Sequence, residues 1–147
     1  SEHSDMANVH KDFHGALSFG IQFLDDQYGL AGLEEFFTRA AKAVYATLIE
    51  DLHCRGLDAL KEHWDTVFTL EAGGFETWYE GDTLVLDVRA CPAIHHMRAR
   101  NYRIADHFCE HTRIVNEAVC AAAGYACSVE YDQDAGRCVQ RFWRAVP

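Results

Sequence analysis

The sequence predicts an α+β domain, with N-terminal helices packed on an antiparallel sheet of about four strands. Three observations predict it. Apolar residues recur three and four apart as far as about Leu70. After Gly73-Gly74 the period changes to two, with Leu84, Leu86 and Val88 alternating against Val85, Asp87 and Arg89. The last twenty-odd residues then read as a second hairpin.

A first helix runs from about Asp5 to Tyr28, with His10, Phe13, His14, Leu17, Ile21, Leu24 and Tyr28 on one stripe. His10 and His14 have the i, i+4 spacing that lets two imidazoles meet one metal, but their place on the apolar stripe points them inward. Gly29 to Gly32 is a break, and a second helix follows from about Leu33 to Cys54, its stripe formed by Leu33, Phe36, Phe37, Ala40, Val44 and Leu48. A third covers Asp58 to Leu70, with Leu60, Trp64 and Phe68 inward. Phe75–Tyr79 and Thr83–Arg89 are strands about a turn at Gly81-Asp82, and Pro92, which cannot donate to a ladder, ends the second. Ala93–Ala99 is a short helix or helical turn, and a long helix from about Arg103 to Ala123 is closed by Gly124. Tyr125–Asp132 and Arg137–Arg144 form the final hairpin around Gln133–Gly136.

With 147 residues, 49% of them hydrophobic, the chain is long and apolar enough for one domain with a real core. It has no apolar run near the roughly 20 residues of a membrane helix. The opening SEHSDMANVH has neither basic flank nor apolar segment, so a cytoplasmic protein is expected. Six cysteines without a CxxC pair then read as reduced thiols or metal ligands, not disulfides. The net charge of −10 argues against a nucleic-acid partner. That charge is uneven: residues 1–90 hold 17 acidic and 6 basic groups, residues 91–147 hold 6 and 7, and all seven basic groups there are arginines. Arginine suits a carboxylate, so this half is expected to receive a small anion. Phe19 and Phe23 lie off the main stripe of the first helix and point to a homodimer.

Candidate chemistry concentrates between Cys91 and Cys120, which holds three of the cysteines, four of the nine histidines, four arginines and Asn116. On the long helix, Ile104, Phe108, Val115, Ala118, Val119 and Ala122 make the core stripe, while Cys109, Arg113, Asn116 and Cys120 share the opposite face and suit the wall of a pocket. Hydrolysis at a C–N or C=N centre needs a nucleophile, a proton shuttle and a stabiliser of developing charge. Cys91 or Cys109 can supply the first, and His95, His96, His107 or His111 the second. Arg113 can hold a substrate carboxylate and Asn116 an oxyanion or amide. Two other readings use the same region. In one, Cys91, Cys109 and Cys138 with a histidine hold zinc. In the other, a non-catalytic sensor binds a hydrophobic ligand among Phe13, Phe37, Trp64 and Trp78.

Cys91-Pro92 after a hairpin, Phe108-Cys109 by a helix, and Gly136, Cys138 and Phe142 in a closing hairpin form a pattern over roughly residues 57–143. It resembles the L-2-amino-thiazoline-4-carboxylic acid hydrolase-like family and, more distantly, vinyl-reductase-like small-ligand-binding domains. The first resemblance implies ring-opening hydrolysis of a cyclic amidine or thiazoline-like carboxylate. The second implies small-ligand binding with cysteines that can hold zinc. Those domains usually carry a closer cysteine pair in the last hairpin. Here Cys138 stands there alone with Cys127 on the strand before, so Glu130 or a histidine would have to complete a zinc site.

Overall fold

A computed structural model describes residues 10–146. The elements are helices α1 (Phe13–Val44), α2 (Ala46–Arg55) and α3 (Leu57–Leu70), strands β1 (Gly74–Glu80) and β2 (Thr83–Ala90), helices α4 (Pro92–Ala99) and α5 (Glu110–Ala123), and strands β3 (Tyr125–Asp132) and β4 (Arg137–Arg144). The architecture is α+β, with one antiparallel sheet in the order β1-β2-β4-β3. No helix among the described residues is long and apolar enough to cross a membrane.

The period-2 pattern of the sequence places Leu84, Leu86 and Val88 together on the core face of β2, with Phe142 of β4 opposite Leu84. That face packs on α2, α3 and the second half of α5 through Leu52, Leu60, Ala118, Val119 and Cys120. A second cluster joins α1, α4 and the start of α5 through Ile21, Leu33, Phe37, Ile94, Met97, Phe108 and Ile114. Cys91 and Val115 touch both clusters, so the seam between them passes the end of β2.

Three helix boundaries differ from those the periodicity predicts. The part of the first predicted helix before His10 lies outside the described residues. The break at Gly29 to Gly32 is a single-residue kink: Gly29 has φ 69 and ψ −167, and helix resumes at once. Gly32 is required there by close approach, because a Cβ would sit 2.4 Å from that of Tyr28. The predicted second helix instead ends at Val44 and restarts at Ala46 around Tyr45, which leaves Phe36 and Val44 exposed. Phe19, 77% exposed, and Phe23, 53% exposed, are left largely open by the described residues.

The largest correction is the long helix, which begins at Glu110 and not at Arg103. The backbone before it is bound by side chains from elsewhere. Ser18 Oγ donates to the Arg103 carbonyl and accepts the Ala105 amide, both at 2.8 Å. Gln22 Oε1 accepts the Asp106 amide at 2.9 Å, and Gln133 Nε2 donates to the Ala105 carbonyl at 2.8 Å. Backbone groups satisfied in this way have no need of a helix.

The end of α3 fixes the approach to the sheet. The Gly73 amide bonds the Phe68 carbonyl at 2.9 Å and the Ala72 amide bonds the Thr69 carbonyl at 3.1 Å, closing the helix through Ala72 at φ 57. Such a Schellman closure favours glycine where alanine stands. Ala72→Gly should therefore raise stability by about 0.5–1 kcal/mol in urea unfolding, because relief of the left-handed strain outweighs the added freedom of the unfolded chain.

Candidate functional site

The seam between the clusters opens into a cavity of about 410 Å³. The first and last quarters of α1, the second half of α3, the Cys91 turn, α5 and the closing hairpin all wall it. Cys91, Cys109 and Cys138, which sequence spacing alone leaves 18 and 29 residues apart, all line it.

Cys91 sits where β2 gives way to α4. Pro92 takes the first helical position, where its missing N–H costs nothing, and Cys91 is the residue before it. The Cys91 amide donates to the Gly136 carbonyl at 2.8 Å, so the closing hairpin holds the turn from the other side. Gly136 has φ 67, and a Cβ there would stand 3.3 Å from Ile94 Cγ2. Glycine is thus needed both for the backbone and for the approach to α4. Burial pushes the Cys91 thiol up, opposed by the backbone N–H groups of Ile94 and Ala93 that reach its sulfur. These are the free amides of the α4 N-terminus, which favour a thiolate.

The other two thiols lack that help. Burial, with the neighbouring Cys91 and Cys138 thiols, pushes Cys109 up to about 12. Burial pushes Cys138 up to about 11, although Gln140 Nε2 donates to its sulfur at 3.4 Å. Gln140 in turn accepts from Asn116 Nδ2 at 2.7 Å, so Asn116, only 4% exposed, positions Gln140 and through it Cys138.

A buried pair that the sequence does not single out completes the cavity. His14 Nε2 lies 2.5 Å from Glu71 Oε1, and both side chains are about nine-tenths buried. The carboxylate accepts, so Nε2 carries the proton and Nδ1 is left with its lone pair in the neutral ring. Nδ1 is buried without a partner among the described residues. A carboxylate–imidazole pair facing a thiol-lined cavity has the parts of a nucleophile, base and orienting group. The one sequence signal for it was a histidine on an apolar stripe. Glu71, at a helix end, gave none.

The remaining candidates divide clearly. His111 lines the cavity, and burial pushes its pKa down to about 4. Its Nδ1 donates to the Phe108 carbonyl, which leaves a neutral ring with Nε2 as acceptor. His95 is exposed and outside the cavity, His96 pairs with Asp12 at 2.9 Å, and His107 with Asp25 at 2.6 Å. Arg113 is also outside it. Its guanidinium is taken up by Glu117 at 2.8 Å, Glu34 at 3.1 Å and Glu110 at 3.2 Å, leaving no open fork for a substrate carboxylate. The helix face assigned to a pocket wall is therefore split: Cys109 and Asn116 line the cavity, Cys120 is core, and Arg113 is surface. Of the four aromatics expected around a ligand, Phe13, Phe37 and Trp64 line the cavity, whereas Trp78 bonds Glu80 outside it.

No three His, Cys, Asp or Glu side chains among the described residues are grouped to hold a metal ion. His10 is exposed while His14 is engaged with Glu71, so the two do not face one centre. Glu130 is exposed and turned toward Arg141.

No family model, curated protein or solved structure matches the chain.

Two measurements probe this geometry. In a Cys54→Ser background, which removes the exposed thiol, iodoacetamide should modify Cys91 ahead of Cys109 and Cys138 in a peptide map. First reaction at Cys109 would contradict the role given to the α4 amides. His111, whose folded pKa of about 4 lies below its ordinary 6.5, favours unfolding once the unfolded chain takes up a proton. Its contribution is intact above pH 6.5 and lost progressively as pH falls to about 4. His111→Asn keeps a donor for the Phe108 carbonyl and should flatten the fall in urea midpoint across that window.

Proposed function

We propose that this protein is a cysteine-dependent hydrolase that opens or cleaves a C–N bond of a small cyclic amidine. Cys91 is the nucleophile, His14 the proton shuttle and Glu71 the group that orients it. One observation carries the reading: a thiol at a helix N-terminus shares a cavity with a carboxylate-bound imidazole whose second nitrogen is unpaired among the described residues. The resemblance carried by Cys91-Pro92, Cys109, Gly136 and Cys138 supports the same reaction class.

The residues suggest a two-stage sequence. His14 Nδ1 takes the thiol proton and Cys91 sulfur adds to the amidine carbon, sending the C=N π electrons onto nitrogen. As that C=N bond re-forms, the other C–N bond breaks, and the departing amine takes the proton from His14. A thioimidate remains on Cys91. Water then gives a proton to Nδ1 and adds to the same carbon. The C–S bond breaks, sulfur recovers the proton, and the product leaves as an amide. Net, one water converts an amidine to an amide and an amine. Glu71 accepts from Nε2 throughout and steadies the imidazolium that forms at each stage.

A second reading, a ligand-binding module without turnover, is favoured by the aromatic and aliphatic walls of the cavity. Turnover of 2-amino-thiazoline-4-carboxylate and related cyclic amidines separates the two. Cys91→Ala should abolish both turnover and the covalent adduct seen by intact-protein mass spectrometry. His14→Gln should lower kcat by roughly 10²–10⁴-fold, and Arg113→Ala should leave KM unchanged. Full turnover by Cys91→Ala would overturn the hydrolase reading. Binding without turnover in the unaltered protein would establish the module.

A further inference from the structure

The outer side of the first half of α1, away from the cavity, carries a pattern that the packing of the described residues does not use. Phe19 and Phe23 stand open there, and Ala16 and Gly20 share their face. At helical spacing the four fall within an arc of about 100°. A Cβ at Gly20 would meet nothing within 4 Å, so no close approach inside the chain calls for glycine. Glycine inside a helix costs about 1 kcal/mol against alanine, and an open phenylalanine forgoes the stabilisation that burial would bring. Along the chain the sizes run small, large, small, large: Ala16, Phe19, Gly20, Phe23.

That order is its own complement when reversed. Two copies of α1 laid antiparallel, with Phe19 of one level with Gly20 of the other, also bring Phe23 level with Ala16 on both sides of the axis. A closed two-fold contact requires self-complementarity of this kind. The charges run the same way. Tyr102 bonds Asp12 at 3.0 Å and Ser18 Oγ bonds the Arg103 carbonyl at 2.8 Å, so Arg100 and Arg103 lie along the N-terminal end of this face beside Lys11. Gln22 bonds the Asp106 amide at 2.9 Å, so Asp106 joins Asp25 and Asp26 at the other end. One end thus has three basic groups against Asp12, and the other three acids with no lysine or arginine. Antiparallel packing sets basic end on acidic end twice, where parallel packing would set each end and each ring on its twin. Between α1 and residues 101–105 a groove of about 660 Å³, lined by Gly15, Phe19 and Tyr102, leaves room for the ring of the other copy.

We infer that this face of α1 is an interface between two copies of the chain, packed antiparallel about a two-fold axis that passes between Phe19 and Gly20. Phe23 of each copy rests on Ala16 of the other. Gly20 lets the two helices come close, which explains a glycine that the single chain does not need. The inference is independent of the reaction proposed for the cavity.

The test is the mass of the full chain in light scattering at micromolar concentration, which should be twice that of one chain. Ala16→Phe adds apolar surface, so it would tighten an association that was merely sticky. Here it sets ring against ring and should weaken the dimer by about tenfold or more. Phe23→Ala should weaken it by a similar factor, because it leaves a gap over Ala16. The double variant Ala16→Phe with Phe23→Ala exchanges the two sizes and should recover most of the loss. All three changes are at exposed positions, and circular dichroism checks that each variant keeps its helices. A single-chain mass for the unaltered protein would overturn the inference and leave the face to residues 1–9 or to a partner of other chemistry. Tighter association in Ala16→Phe, or no recovery in a folded double variant, would overturn the antiparallel packing.

Discussion

The contact between His14 and Glu71 joins residues 57 apart in the chain and ties the first turn of α1 to the closure of α3. Much of the cavity depends on it. The Schellman closure at Ala72 and Gly73 turns Glu71 inward, and Gly73 leaves room for Phe68 and for Pro92 of the Cys91 turn. The Phe13 ring lies 3.9 Å from the imidazole, so the pair is sealed by its own neighbour. Burying an ionisable pair is a poor route to stability, since desolvation offsets most of the attraction, and an apolar pair of similar volume would hold the helices as well. Its place beside a thiol-lined cavity is better explained by what the imidazole can do there.

A second constraint works on Cys91. Three separate pieces of sequence converge to fix it: the strand that ends at Ala90, the α4 N-terminus that begins at Pro92, and the Gly136 carbonyl that holds the backbone. Val88 pairs with Cys138 in the same sheet, so the spacing from Gly136 to Cys138 carries the third thiol to the same opening. The Cys-Pro and Gly-x-Cys elements of the sequence are thus two halves of one structural device. The first supplies a thiol at a helix start, and the second supplies the carbonyl and the neighbouring wall.

What the sequence made legible follows the range of the interactions involved. Alternation along Leu84–Val88 and the Gly136 turn are local, and both hairpins fall where those patterns place them. The gathering of Cys91 and Cys109 near one pocket was legible too, because the residues lie in one stretch. The start of α5 was not. Ser18 and Gln22 act on residues 103–106 from more than eighty positions away, and nothing in the local period reports them. His14 was visible only as a histidine on an apolar stripe, and Glu71 not at all, because the meaning of each lies in the other.

The arginine surplus of the C-terminal half shows how composition misleads about a site. Counted along the chain, seven arginines against six acids suggest a region that receives an anion. In the fold, the arginine on the chosen helix face spends all three of its guanidinium nitrogens on Glu34, Glu110 and Glu117, two of them from its own helix. Glu34 comes from α1, in the half with the acidic excess, so part of the charge imbalance between halves is settled by contacts between them. An exposed network of this kind adds little to stability, but it holds the cation outside the cavity. The cavity is left with largely apolar walls, three thiols and the imidazoles of His14 and His111. The charge that the sequence advertised is thus satisfied on the surface and not in the cavity.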